Sequence, residues 1–168
     1  LTIACWTHPV VLQAAPTSPN IVFILADDMG YGDLKAYNPG SKISTPHLDQ
    51  LAAGGMVFTD AHSGGSTCVQ SRHSLITGRF AARRKQLNWR AGPVISRSQL
   101  TFASVLRTQG YHTAMVGKWH QGFTMKSPGV FDYEKPLTDG PVDCGFDSFF
   151  GMHASLDIPP YFYIRDRT

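Results

Sequence analysis

A cysteine and an arginine four residues apart mark one place where this chain could do chemistry. Cys68 stands just before a helix that the sequence predicts to begin near Val69, where free backbone N–H groups and the helix dipole favour an anion. Arg72, one helical turn later, shares that face and can pair with the anion. The alternative is a small buried thiol, the usual role of a single cysteine. The position of Cys68 favours the chemical role.

Two adjacent carboxylates form a second candidate site. Asp27 and Asp28 directly follow the apolar run 21–26. Neighbouring carboxylates repel each other, so a cation bound between them would stabilise both, and their oxygens suit a hard ion such as Ca²⁺ or Mg²⁺. The alternative is that one caps a turn and the other is solvated. The apolar run that leads into the pair makes the metal site as well supported as this alternative, and both stay open.

A lysine and a histidine form the third candidate. Lys118 and His120 lie two apart on a segment predicted to be extended, which would project both side chains to the same side. Together they could hold an oxyanion and provide a proton donor or acceptor. A surface lysine and a hydrogen-bonded histidine are the alternative.

Alternating strands and helices must position these residues. The run 21–26 is typical of a strand buried on both faces, and 45–54 has the N-cap, first-turn proline and terminal glycine of a helix. A short strand is predicted at 56–58, a helix at 101–109 and a strand at 111–116. This order predicts an α/β fold with a largely parallel central sheet flanked by helices, and ligands at the carboxyl ends of its strands.

Composition limits the functional classes. A chain of 168 residues with a net charge of +3 suits one globular domain, and its one short basic cluster does not favour nucleic-acid binding. Three cysteines are too few for a disulfide scaffold or a Cys-x-x-Cys zinc cluster, and no apolar run is long enough to span a membrane. Residues 1–18 are typical of a signal-peptide remnant or a disordered leader. A signal peptide predicts a secreted or periplasmic protein, or a lysosomal or extracellular one in a eukaryote.

Five segments, in order along the chain, resemble those of the sulfatase family, specifically its arylsulfatase type, within the alkaline-phosphatase-like superfamily. They are PNIVFILADDMGYGD at 19–33, CVQSRHSLITGR at 68–79, GKWH at 117–120, GFDSFFG at 145–151 and SLDIPPY at 155–161. Several long motifs together are far more specific than any one alone. The resemblance implies that residues 19–168 form the amino-terminal part of an alkaline-phosphatase-like α/β catalytic domain, incomplete in this fragment.

The resemblance also implies hydrolysis of sulfate esters. Cys68 matches the residue that is converted after translation to formylglycine, whose hydrated aldehyde is the nucleophile and a further metal ligand. Asp27 and Asp28 match two ligands of a divalent cation, usually Ca²⁺, with Mg²⁺ as the alternative. Arg72 matches the residue that steadies the hydrate, and Lys118 matches a sulfate contact.

Two further residues and two partners follow from the same resemblance. His120 matches a partner of the formylglycine hydroxyl, and Ser155 matches a polar contact near the sulfate. The implied partners are a small-molecule or carbohydrate sulfate ester and the formylglycine-generating enzyme, with no nucleic acid and no stable membrane span. Because the family's other metal ligands come from later in the chain, the isolated fragment is expected to be inactive.

Two alternatives stay open at this point. A phosphate or phosphonate ester hydrolase of the same superfold would use the same metal and oxyanion chemistry. A non-catalytic anion- or metal-binding relative is favoured by Gln70, which stands where the family signature has proline, or less often alanine, two residues after the cysteine.

Overall fold

A computed structural model describes residues 18–84 and 87–168 of the chain. The leader predicted at 1–18 therefore lies, except for Ser18, outside the described residues. The chain divides into two compact units with the boundary between Gly55 and Met56. The helices are α1 (Pro46–Gly54), α2 (Cys68–Thr77) and α3 (Phe102–Thr108), the strands are β1 (Ala114–Lys118), β2 (Ser148–Met152) and β3 (Ile164–Arg165), and short 3-10 helices span Tyr31–Asp33, Ala81–Arg83 and Pro141–Cys144.

The first unit contains α1, which confirms the helix predicted at 45–54. Pro46 occupies the first helical position, where its missing N–H costs nothing. The Thr45 hydroxyl does not cap the helix but donates to Asp49 Oδ1 at 3.1 Å. The same carboxylate oxygen accepts the backbone N–H of Ala36 at 3.0 Å, which fixes the preceding loop against the first turn.

The strands predicted at 21–26 and 56–58 do not form. Both segments lack regular secondary structure, and Val22 and Met56 are 83% and 79% exposed. A strand needs a neighbour that pairs its backbone N–H and C=O groups, and among the described residues no strand pairs with either segment. The apolar residues predicted buried strands here, but they do not show which strand would pair with each segment. These two predictions are wrong.

The second unit contains a three-stranded mixed sheet in the order β1-β2-β3. β1 and β2 are parallel, from Ala114 opposite Ser148 to Lys118 opposite Met152, whereas β3 is antiparallel to β2. The parallel pair confirms the predicted α/β class. β1 begins three residues later than predicted because the Thr113 N–H is held by Asp147 Oδ2 at 2.7 Å.

Buried apolar side chains from the sheet, α2, α3 and the connecting loops form the core of this unit. The predicted helix at 101–109 is confirmed as α3, which begins where the Thr101 hydroxyl accepts the Ser104 N–H at 3.0 Å. Thr101 also donates to the Cys144 carbonyl at 2.6 Å, which ties the helix start to the core. The core comprises Ile76, Ile95, Ala103, Trp119, Phe123, Phe131, Cys144, Phe146, Phe149 and Ile164.

Gly151, in the middle of the sheet, is expected to tolerate no side chain. A Cβ there would lie 1.8 Å from the Gly117 carbonyl oxygen, a backbone atom that cannot move without breaking the β1–β2 ladder. In the full-length protein, Gly151→Ala should lower the free energy of unfolding by about 3 kcal/mol or more, measured by urea denaturation. Gly54→Ala is the control, because a Cβ there meets nothing within 4 Å and should change stability by less than about 1 kcal/mol. Equal stabilities of the two variants would contradict the close approach of Gly151 to the Gly117 carbonyl.

Candidate active site

Cys68 is the first residue of α2 and is half-buried, with a free thiol. The helix begins after Thr67, whose backbone is extended, which confirms the predicted start to within one residue. It ends at Gly78, whose left-handed backbone at φ 65° lets its N–H reach the Ser74 carbonyl at 2.9 Å. Cys68 therefore lies at the positive end of a ten-residue helix.

Gln70 fits closely into the first turn of α2. The preceding loop packs so tightly that a Cβ on Gly65 would lie 2.4 Å from Gln70 Cβ. The Ser66 hydroxyl donates to Gln70 Oε1 at 3.2 Å. The glutamine that departs from the family signature thus ties the loop before Cys68 to the helix.

Arg72 joins the cysteine helix to the end of β1. Its Nη1 donates to the Lys118 carbonyl oxygen at 2.7 Å, and only 8% of the residue is exposed. A buried guanidinium requires such partners because the loss of its hydration is otherwise costly. The bond connects residues 46 apart in sequence. It brings the Arg72 and Lys118 segments together at the carboxyl end of β1.

His120 turns out of the extended segment that precedes it. Its φ of 56° lies in the left-handed region. The extended backbone that predicted Lys118 and His120 on the same side therefore ends at Lys118 and does not include His120. Lys118 is half-buried, whereas His120 is only 4% exposed. The His120 N–H donates to the His153 carbonyl at 2.9 Å, which continues the β1–β2 pairing beyond the strands. A non-glycine residue keeps such a backbone only where its surroundings hold it.

The Trp89 ring packs against His120 and lies close to a second buried histidine, His153. It meets the His120 ring edge-on at a centroid distance of 4.7 Å and lies 6.0 Å from the His153 ring. His153 is 2% exposed and bonds through Nε2 to the Pro160 carbonyl at 2.8 Å, so Nε2 carries the proton. Sequence reasoning missed Trp89 and His153. Their importance comes from contacts between distant segments, and no local pattern signals it.

Ser155 reaches the same neighbourhood through the turn that follows β2. It is half-buried, and its carbonyl accepts the Ile158 N–H at 3.0 Å. A hydrogen bond from Ser155 and the nearby Lys118 and His120 hold the pKa of the Asp157 carboxyl below its usual range. Asp157 was not predicted as a site residue, although its place in the motif at 155–161 was a signal.

Asp27 and Asp28 belong to the first unit, where both are exposed. Asp28 has a left-handed backbone with φ 57°, as expected where the chain turns. Their carboxylate oxygens suit a hard cation. In residues 18–84 and 87–168, however, no group of three or more histidine, cysteine, aspartate or glutamate side chains is assembled that could hold a metal ion.

Two buried histidines should make stability depend on pH. Burial lowers the pKa of His73, as does the charge of Arg84, and burial lowers the pKa of His153. Below the ordinary value of 6.5 the unfolded chain therefore binds more protons than the folded one, and the free energy of unfolding should fall as pH falls. Urea denaturation of the full-length protein between pH 8 and about pH 5.5 measures this slope. His153→Phe should flatten it, and an equal slope in wild type and variant would contradict the role of His153.

Solved structures define the class of fold. A structure from work on the metabolism of multiple glycosaminoglycans by Bacteroides thetaiotaomicron aligns with a TM-score of 0.80 at 37% identity, over 89% of this chain and 31% of that one. The crystal structure of Ps i-CgsB aligns with a TM-score of 0.65 at 31% identity, over 83% of this chain and 29% of that one. Together with the motifs, these likenesses make the fold the alkaline-phosphatase-like α/β fold, of which this chain forms a part.

The family follows from the sequence comparisons. The profile of the sulfatase family matches residues 19–165. Bovine (Bos taurus) arylsulfatase A is 40% identical over 166 residues, and the N-acetylgalactosamine-6-O-sulfatase of Bacteroides thetaiotaomicron is 37% identical over 151 residues. The chain belongs to the sulfatase family.

The matched region is a part of those relatives. The alignments cover 94% and 88% of this chain but only 30% and 29% of the two relatives. Within the part of the chain that the structure describes, no helix has the length and apolar character needed to cross a bilayer.

Proposed function

We propose that the full-length protein hydrolyses sulfate esters, with residue 68 as the site of the nucleophile. The observation that carries the proposal is the 2.7 Å bond from Arg72 to the Lys118 carbonyl, which holds the Lys118 segment against the helix that begins at Cys68 and contains Arg72. A sulfate ester is an anion whose oxygens gain charge during attack at sulfur, so fixed positive groups around it lower the barrier. Membership in the sulfatase family supports the same reaction.

The modification of Cys68 to formylglycine is part of this proposal. The residue fits that role because its thiol is free and half-buried at a helix start, beside a loop held by Gln70. As its hydrate, formylglycine would supply one hydroxyl that attacks sulfur while the alcohol of the ester leaves, and a second whose deprotonation re-forms the aldehyde and releases sulfate. Gln70 makes the alternative of an unmodified, non-catalytic relative worth testing.

Each neighbouring residue has a role in the proposed reaction. Arg72 orients the hydroxyls of residue 68, and Lys118 offsets charge on the sulfate oxygens. His120 holds or moves a proton at the hydroxyl of residue 68. Ser155, whose hydroxyl donates to the Asp157 carboxylate in the free protein, is a polar contact near the sulfate.

A divalent cation completes the proposed site, with Asp27, Asp28 and residue 68 as ligands. Two adjacent carboxylates are the donor chemistry that Ca²⁺ prefers, with Mg²⁺ as the alternative. When bound, the cation offsets negative charge on the sulfate group. The described residues by themselves assemble no complete ligand set for it.

Removal of the cation should lower activity. Chelation of the full-length protein by EDTA is expected to reduce kcat/KM at least about tenfold, and added Ca²⁺ should restore it. Asp28→Asn should lower the affinity for Ca²⁺, whereas Asp60→Asn, which changes an exposed carboxylate paired with His62, should not. Calcium titration followed by thermal melting measures the affinity without an activity assay. Full activity after exhaustive chelation would contradict a metal role.

Two partners and a location complete the proposal. The substrate class is a small-molecule or carbohydrate sulfate ester, which agrees with the name of the Bacteroides relative. The second partner is the formylglycine-generating enzyme. Secretion or export to the periplasm stays a prediction from residues 1–18.

Parallel assays of sulfate and phosphate esters test the proposed reaction. The full-length protein from its own host is given 4-nitrophenyl sulfate, 4-nitrophenyl phosphate and a phosphonate monoester under the same conditions. The proposal predicts that kcat/KM is highest for the sulfate. A higher value for either phosphorus ester would assign the protein to the alternative reaction, and no turnover of any ester would favour the non-catalytic alternative.

A further inference from the structure

Gln121 is a fully buried polar residue that contacts both halves of the candidate site. Its Nε2 donates to the Val69 carbonyl at 2.9 Å and to the His120 carbonyl at 2.9 Å. None of its surface is exposed. Val69 directly follows Cys68 in the first turn of α2, and the Val69 contact joins residues 52 apart in sequence. One amide group therefore joins the segment of residue 68 to the segment of His120.

The orientation of this amide is fixed by its partners. The amide nitrogen faces two carbonyl oxygens, which can only accept hydrogen bonds. The reverse orientation of the amide would place Gln121 Oε1 against both carbonyl oxygens, with no donor between them. Gln121 Oε1 is buried and has no hydrogen-bond partner among the described residues. A buried acceptor without a partner lowers stability, so this position calls for an explanation other than stability. The backbone of Gln121 is held as well, because its carbonyl accepts the Val94 N–H at 2.8 Å.

Close packing of the turn at Gly122 restricts the position of the Gln121 side chain. Gly122 has φ 75°, and a Cβ there would lie 2.2 Å from the Gly92 carbonyl oxygen. The Trp119 Nε1 donates to the Gly122 carbonyl at 2.9 Å. Gln121 therefore acts from a rigid turn, and it supports a His120 backbone that is itself in the left-handed region.

We propose that Gln121 is a positioning residue, which sets the distance and orientation of His120 relative to residue 68 for proton transfer. The inference rests on the proposed sulfate ester hydrolysis for its catalytic meaning. Side chains of similar size cannot replace the amide: leucine and methionine supply no donor, and glutamate would place a carboxylate against two carbonyl oxygens. A displacement of His120 by a fraction of an ångström would slow proton transfer without changing the sulfate contacts.

The test uses Gln121→Leu and Gln121→Met in the full-length protein. Both variants should lower kcat about 10- to 100-fold and leave KM within about threefold, because substrate binding does not depend on His120. Gln99→Leu is the matched control, since Gln99 is half-buried and its amide nitrogen has no hydrogen-bond partner among the described residues. The value of kcat is calculated per folded molecule, so that a smaller folded fraction is not mistaken for a lower kcat.

A second readout separates this inference from the proposed function. The His120 ring signals, assigned with His120→Gln in histidine-labelled protein, should shift in both Gln121 variants and stay in place in Gln99→Leu. If the wild type turns over no sulfate ester, the proposed function fails, yet these signals still decide whether Gln121 positions His120. Unmoved signals in a folded Gln121→Leu or Gln121→Met protein, or an unchanged kcat per folded molecule, would overturn the inference. If Gln121→Leu does not fold, the Gln121→Met variant decides, because methionine is unbranched like glutamine.

Discussion

Replacing Cys68 with alanine is expected to abolish sulfate ester hydrolysis in the full-length protein. Alanine cannot be converted to an aldehyde, so no nucleophile forms at residue 68, and kcat should fall at least about a thousandfold. The fold should persist, because Cys68 is only half-buried and forms no disulfide. The measurement is kcat with 4-nitrophenyl sulfate, accompanied by a thermal melt.

Cys144→Ala is the matched control for that variant. Cys144 lies in the hydrophobic core, where burial raises the pKa of its thiol to about 12, so it stays protonated and unreactive. Its replacement should lower stability by about 1 to 2 kcal/mol and leave kcat unchanged. Comparable activity of Cys68→Ala and wild type would remove residue 68 from the mechanism.

Arg72→Lys should have the second largest effect. Lysine keeps the positive charge but loses the planar guanidinium, whose Nη1 donates to the Lys118 carbonyl. We expect kcat to fall about 100-fold or more, because the hydroxyls of residue 68 that Arg72 no longer orients are misplaced for attack. Stability should fall as well, because the Lys118 carbonyl loses this donor at a buried position.

Arg107→Lys controls for the general effect of this substitution. Arg107 pairs with Asp147 at 3.0 Å, and its side chain is 48% exposed. An exposed ion pair contributes little, so activity and stability should stay close to those of the wild type. If Arg72→Lys kept its kcat within about threefold of wild type, the geometry of the guanidinium would not be part of the mechanism.

Local signals in the sequence predicted the helices well. The proline and the terminal glycine at 45–54 and the threonine before α3 act within a single turn, and all three appear at helix ends in the structure. The start of α2 was predicted to within one residue because helix ends depend on neighbouring residues. This placed Cys68 at a helix start and Arg72 one turn beyond it.

Strands and supporting contacts were predicted less well, for a physical reason. A strand depends on its neighbour, and the apolar run at 21–26 has no paired strand among the described residues. The left-handed backbone of His120 likewise depends on contacts outside its own segment. Gln121 and Trp89 act on His120 through three-dimensional contacts, and a single sequence carries no signal for these.

The proposed reaction depends above all on the conversion of Cys68 to formylglycine. The most direct test is intact-mass analysis of the full-length protein from its own host, with aldehyde capture and mapping of the peptide that contains residue 68. We expect that the thiol-bearing side chain is replaced by an aldehyde at this position and that a hydrazide reagent labels it. An unmodified Cys68 in folded protein would contradict the formylglycine mechanism and would favour the non-catalytic alternative that Gln70 suggests.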